Sequence, residues 1–313
     1  MSVNVSVIVP NYNHAPYLRQ RFDSIFNQTY QDFEVIILDD CSTDNSKEII
    51  EEYRNRPQVS HVVYNETNSG SPFKQWAKGF NLAQGEYIWI AESDDWAELN
   101  FLEEMVPHLS NKDTYIAFSN SNIISPEKKE TDIKDVKQDC AYDGIQFVKT
   151  KMWRINYILN ASAVLFKKEA LNLISKKYQS FTSSGDWLFW IEICELGNVY
   201  FSSKELNYNN RHGNNTTALW GKSMSSGRFF FENRKIFHYL KKKRYIPFFQ
   251  TLVTVINQLD FIDKEQNHFS SHAIYKSVRK DWKKELFSEK ISRMIIHTAV
   301  FIYKAKKILL KRN

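Results

Sequence analysis

An α/β fold, a mostly parallel sheet flanked by helices and followed by a helical C-terminal extension, is predicted for this 313-residue chain by three observations. Short runs such as "VSVIVP", "FEVIILDD" and "EYIWIA" are apolar throughout rather than alternating, as strands are when helices cover both faces of their sheet. Amphipathic stretches separate these runs, which is the β–α alternation of parallel units. Beyond Gly227 glycine disappears while apolar and basic residues continue at helical spacing, so the chain from about 223 to its end reads as helices.

Taken in order, residues 5–10 form the first strand, and Asn13 can cap a helix in which Leu18, Phe22, Ile25 and Phe26 recur at i, i+4, i+7 and i+8. "FEVIILDD" (33–40) is the second strand. Ser42 or Asp44 can cap the helix of "STDNSKEIIEEYRN", which ends before Pro57. A short strand at 61–65, a helix at 71–84 and a strand at 86–95 follow. After residue 110 the pattern loosens. "TYIAFSNSNII" and "NASAVLFKKEAL" read as strand and strand-to-helix segments around a charged loop at 125–139. "DWLFWIEICELG" is a helix closed by Gly197, and "NVYFSSKELNYNNRHGNNTT" is a strand running into a polar loop.

Composition narrows the class. With 42% hydrophobic residues the chain can bury a large core. Its three cysteines, Cys41, Cys140 and Cys194, have neither disulfide-framework nor zinc-site spacing, which fits a reducing, cytoplasmic home. The start lacks a signal-peptide pattern, and no run nears the roughly 18–20 apolar residues that span a bilayer. The net charge of +6 is uneven: residues 274–313 hold 12 Lys and Arg against 3 Asp and Glu, leaving the rest slightly acidic. That distribution, with no nucleic-acid motif, argues against a nucleic-acid partner.

The acids carry the chemistry. In parallel α/β sheets ligands gather beyond the carboxyl ends of the strands. There this sequence sets Asp39 and Asp40, and then Glu92, Asp94 and Asp95. A turn needs one aspartate, and crowded carboxylates repel one another unless a cation or donors neutralise them. Mg²⁺ or Mn²⁺ with a diphosphate is the natural solution.

"VSVIVPNYNH", "VIILDDCSTDNS", "NSGS" before a helix, and "GEYIWIAESDD", in this order and spacing over roughly residues 4–217, resemble the family 2 glycosyltransferases of the GT-A, Rossmann-like fold. The resemblance implies a nucleotide-diphosphate sugar donor and inversion at the anomeric carbon. It divides the chain into a nucleotide-sugar-binding half at 1–110, an acceptor-binding half with the catalytic base at 111–222, and a basic helical extension at 223–313. It puts Pro10, Tyr12 and Asn13 at the nucleotide, Asp40 beside the base, Asp94 at the ribose or sugar, and Asp95 on the metal. Two positions depart from the pattern: Glu92, a candidate acceptor or phosphate contact, stands where many relatives have Asp, and Trp76 where many have Arg. Lys74 and Lys78 share one face of the Trp76 helix, either as phosphate contacts or as a solvated face.

Asp186 in "SSGDWLFW" matches the acid that relatives place to take the acceptor's proton; an N-terminal cap is its other reading. Trp187 can stack on a sugar, whereas Trp190 reads as core. In "NRHGNNTT", the family pattern offers His212 to the metal or diphosphate and Arg211 to a phosphate oxygen. The tail mixes Ile295, Ile296, Val300, Phe301, Ile302, Ile308 and Leu309 with Lys304, Lys306, Lys307, Lys311 and Arg312. It suits the interface of a membrane's inner face, or packing on the body or on a second copy.

The resulting expectation is transfer of single sugars to a glycan or lipid-linked acceptor in cell-surface polysaccharide assembly, because the Gln-x-x-Arg-Trp motif and spanning helices of processive relatives are absent. The rivals are a non-catalytic nucleotide-sugar binder and a sugar nucleotidyltransferase, although "PNYNHAPY" lacks the latter's glycine-rich loop. No G-x-G-x-x-G supports a dehydrogenase.

Overall fold

The computed structural model describes residues 3–125, 129–131, 137–212, 220–286 and 288–309. The chain divides into two compact units, Met1–Ala218 and Leu219–Asn313.

The central strands of the first unit, Val5–Asn11, Phe33–Asp39 and Tyr87–Ile90, bury every residue. β1 (Val5–Asn11) is followed by α1 (Ala15–Phe26), β2 (Phe33–Asp39) and α2 (Ser46–Tyr53), with β1 and β2 wholly buried. β3 (Val59–Tyr64), at the edge, is only half-buried, and α3 (Pro72–Leu82) leads into the fully buried β4 (Tyr87–Ile90). α1 buries Leu18, Phe22, Ile25 and Phe26, the residues expected from its spacing, each worth about 1.5–3 kcal/mol on full burial. Asn13 does not cap α1. Its backbone is left-handed (φ 56°) and its Oδ1 accepts from the Thr43 N–H, while Asp44 takes the Ala15 N–H of α1 and the Ser46 N–H of α2. One carboxylate thus serves two helix starts, whose exposed N–H groups attract it.

β4 ends sooner than the expected strand 86–95. After Ile90 the chain makes one more ladder bond, Ala91 N–H to Ile8 O, and then turns, with the Asp95 N–H donating to the Glu92 carbonyl. β5 (Trp96–Ala97) and α4 (Phe101–Leu109) follow. Glu92, Ser93, Asp94 and Asp95 therefore lie on a turn beyond the strand rather than in it.

The remainder of the unit extends the same sheet. β6 (Thr114–Ile124), β7 (Lys129–Thr131), β8 (Cys140–Tyr142), the single turn α5 (Gly144–Phe147), β9 (Val164–Lys167), α6 (Gly185–Cys194) and β10 (Asn198–Asn210) complete it. Much of the charged 125–139 segment lies outside the described residues, but β7 within it pairs with β6. Among the described residues the sheet has ten strands, in the order β3-β2-β1-β4-β9-β6-β10-β5, with β7 beside β6 and β8 beside β10. β3, β2, β1 and β4 are parallel, β9 runs against both neighbours, and β6 and β10 are again parallel. Because β1 is flanked by β2 on one side and β4 on the other, the connections leave in opposite directions there. That is the switch point beyond whose carboxyl ends an open α/β sheet takes its ligand.

The second unit is helical: α7 (Trp220–Ser225), α8 (Arg228–Lys242), α9 (Phe248–Lys264), α10 (His272–Lys283) and α11 (Glu289–Leu309). Phe230, Leu240, Val255, Leu259, Val278 and Trp282 form its core. No helix among the described residues is long and apolar enough to cross a membrane.

Candidate active site

The turn after β4 gathers most of the acids. Asp94 Oδ2 lies 3.0 Å from His212 Nε2, just beyond β10, and Asp94 Oδ1 lies 4.0 Å from Nδ1 of His14, just beyond β1. One ligand atom from each of these three residues falls within 4.8 Å of the others. His14 Nδ1 also meets Ser93 Oγ at 2.8 Å, and the Tyr17 ring stacks on His212 with centroids 4.5 Å apart. Burial, set against the Asp94 charge, holds the His14 imidazole below its ordinary pKa, which keeps it neutral and able to ligate. Two imidazoles and a carboxylate converging at the switch point fit a divalent ion.

Asp95, expected on the metal, stands outside this cluster. Its Oδ2 accepts from Asn160 Nδ2 (2.9 Å) and Ser162 Oγ (2.7 Å), and its Oδ1 from the Asn210 N–H (3.0 Å), so it ties the turn to the β9 and β10 segments. Alternation along the turn is the reason: Ser93 and Asp95 point inward and are buried, while Asp94, 14% exposed, turns towards His14 and His212. Burial, then the neighbouring Asp94 charge, pushes the Asp95 carboxyl up to about 7.

Glu92 completes the turn and joins the two positions that depart from the family pattern. Its carboxylate accepts from the Trp76 indole N–H at 2.8 Å, and its backbone N–H donates to Ser162 Oγ. Burial, then Asp94, drives its pKa up to about 8. Beneath the turn lies Arg21 on α1, fully buried, its guanidinium 4.8 Å over the Trp89 ring and without a hydrogen bond among the described residues. Burial lowers its pKa to about 10, opposed by the charges of Asp95, Glu92 and Asp94. Arg21 is the buried counter-charge of the acid turn. The sequence holds its signal, an arginine within the apolar stripe of Leu18, Phe22 and Ile25. His14 likewise stands directly beyond the first strand, where ligands gather.

The acids that end β2 are occupied locally. Asp39 accepts from Asn11 Nδ2 and from the Ser42 N–H and Oγ. Asp40 accepts from Asn65 Nδ2 (2.6 Å), Gln75 Nε2 (2.7 Å) and the Ser69 N–H and Oγ, clamping the "NSGS" loop. Asp40 and Asp95 belong to strands separated by β1 rather than to neighbours. Pro10 is a buried β1 residue opposite Leu38, and Tyr12 is 46% exposed beside it. Lys74 Nζ donates to the Ser69 carbonyl, and Lys78 to Asn65 Oδ1.

Asp186 sits in the first turn of α6 and accepts from Asn156 Nδ2 at 2.7 Å; the N-cap is Ser184, so Asp186 is not the cap. The Trp187 indole donates to the Met152 carbonyl, and Trp190 is buried in the core. The Arg211 N–H donates to the Ile124 carbonyl, and its Nε is buried with no hydrogen bond among the described residues. Residues 213–217 of the polar loop lie outside the described residues.

Residues 6–168, just over half the chain and including β1, β2, β4 and the acid turn, match the profile "Glycosyl transferase family 2". The chain belongs to glycosyl transferase family 2. It is 38% identical over 120 residues to "Glycosyltransferase GlyG" of Streptococcus pneumoniae, covering 38% of this chain and 40% of that one. It is 39% identical over 101 residues to "Poly(ribitol-phosphate) beta-N-acetylglucosaminyltransferase TarS" of Staphylococcus aureus, covering 32% of this chain and 18% of that one. The chain thus spans less than half the length of either relative. A crystal structure of S. aureus TarS 1–349 in complex with UDP superposes with a TM-score of 0.57 at 17% identity, over 90% of this chain and 88% of that one. That likeness establishes a GT-A fold for this chain, an α/β sheet flanked by helices with further helices at its C-terminal end.

Proposed function

We propose that this family 2 transferase is a metal-assisted, inverting enzyme that moves one sugar from a nucleotide-diphosphate sugar to a hydroxyl of a glycan or lipid-linked saccharide in cell-surface polysaccharide assembly. One observation carries the reading: His14, Asp94 and His212 converge at the switch point where an α/β sheet takes its ligand. Solved TarS structures hold UDP or UDP-GlcNAc, which supports a nucleotide-sugar donor. A divalent ion bound there supplies neutralisation of the charge that grows on the leaving diphosphate.

The remaining chemistry belongs to the chain's own groups. Asp186, steadied by Asn156, takes the proton from the acceptor hydroxyl as its oxygen bonds to the anomeric carbon. The bond to the diphosphate breaks on the opposite face, and its electron pair leaves with the phosphate oxygen. Pro10, Tyr12, Asn13, Asp40 and Lys74 border the nucleotide, with Asp94 next to its sugar and Asp95 holding the turn in place. Trp187 and Arg211 are the candidate acceptor and phosphate contacts. With these roles we propose a nucleotide-sugar-binding half at 1–110, an acceptor-binding half carrying the base at 111–222, and a basic helical extension at 223–313.

The deciding experiment is Asp186→Asn. Removing a general base costs about 10²–10⁴-fold in transfer while donor affinity stays within about twofold. It is read as nucleoside diphosphate released from a panel of nucleotide sugars, beside calorimetric donor binding. Unchanged turnover sinks the assignment of the base; absence of donor binding to the unaltered chain sinks the enzyme reading altogether.

A further inference from the structure

We infer that the turn between α8 and α9 is a docking tip for an anionic lipid surface: Phe248 and Phe249 enter the membrane interface while Lys242, Lys243 and Arg244 meet its headgroups. This goes beyond the transfer chemistry and stands apart from it, because the tip is tested with neither donor nor acceptor present.

The helical period makes Phe248 a core residue. It heads the stripe Phe248, Leu252, Val255, Leu259 and Ile262, at i, i+4, i+7, i+11 and i+14, and the other four are buried in the helical unit. Phe248 itself is 72% exposed and Phe249 40%, so the apolar stripe of α9 runs on beyond its cover. Ile246, buried just before them, and Pro247, the N-cap of α9, pin the turn from which the two rings project. Adjacent rings left in water inside a polar rim mark an interaction surface.

The rim decides the partner. α8 runs out through Lys241, Lys242, Lys243 and Arg244. Lys241 is held by Glu285, and the other three are exposed on the same turn as the rings. Arg244 has a left-handed backbone (φ 59°), a position that Gly or Asn fills at less cost, so the chain keeps a cation there against backbone preference. Protruding rings bordered by cations are complementary to acyl chains beneath anionic headgroups, and each such cation adds about fivefold in affinity. A second copy is a poorer match, since a two-fold contact through this turn sets like charges against each other.

The test is co-sedimentation of the full chain with phosphatidylcholine vesicles and with vesicles that also hold phosphatidylglycerol, each variant being checked by circular dichroism. The parent should bind the anionic vesicles about tenfold or more tighter than the neutral ones. Phe248→Ser with Phe249→Ser should weaken that binding about tenfold or more, and Lys242→Ala with Arg244→Asn about 25-fold. Phe248→Trp should retain it, because an indole suits the headgroup level. A parent that binds neither vesicle, or either variant pair binding like the parent, overturns the inference. Should the serine pair fail to fold, the charge pair, made on exposed side chains, carries the test alone. A lipid-free dimer in velocity sedimentation that the serine pair abolishes overturns the lipid assignment in favour of a second copy.

Discussion

Glu92 and Trp76 look in the sequence like two separate departures from the family pattern, yet in the fold they are one. The longer carboxylate reaches the indole N–H across the gap between the acid turn and α3, and the pair is sealed by Phe73 and Phe189 around Trp76. A buried carboxyl stripped of its donor bears its desolvation alone, so Trp76→Phe should lower stability by about 1–3 kcal/mol, visible in the urea midpoint. A midpoint within error of the parent rules out that accounting. Arg21 makes the same point with the opposite sign. A fully buried guanidinium facing Trp89 is tolerable because three carboxylates crowd the turn above it.

At the scale of an element, α3 tests propensity against packing. Gly79 lies in its interior, where alanine is favoured by about 1 kcal/mol on helix preference. A Cβ there would collide with Ile8 Cγ2, in the middle of the central buried strand, and overpacking of this kind costs about 1–3 kcal/mol. The collision outweighs the helix preference, so Gly79→Ala should lower the melting temperature; a rise would show that β1 yields. The helix starts beyond β1 and β2 were less legible. Asn13, a good cap by type, is drawn away to Thr43, because Asp44 arrives from the next loop with a full charge for both α1 and α2.

At the scale of the molecule, the helical unit is held by a charged cluster as well as by its core. Glu285 is almost wholly buried and meets Arg234, His238 and Lys241. Burial alone would raise its pKa, but Lys241, His238 and Arg234 outweigh it and hold the carboxyl below its ordinary 4.5. A carboxyl depressed on folding adds stability that is fully present above pH 4.5 and lost as pH falls through its folded value. Hydrogen exchange of α8 and α10 should therefore be slower in the parent than in Glu285→Gln at about pH 7, with the difference closing in acid. A difference that does not begin to close as the pH falls below 4.5 refutes this. We propose peripheral membrane contact for the same unit, since α11 exposes Met294 and Phe301 in a stretch of net charge +9, 274–313. Co-sedimentation with anionic vesicles, weakening as salt shortens the range of charge, checks it; equal retention on neutral vesicles removes the electrostatic part, and retention on neither favours a second copy as the partner.

The sequence by itself determined the α/β class, the buried strands, the family and the crowding of acids beyond β2 and β4, because each follows from local pattern: periodicity, runs without alternation, and motifs read in order. Only the tertiary structure decided which acid meets which partner. Asp94 and Asp95 are neighbours of one chemistry, and the direction of a tight turn sends one to the histidines and the other to Asn160 and Ser162. His14 and His212 are separated by most of the first unit and meet through the order of strands in a sheet, a long-range relation that no local spacing encodes.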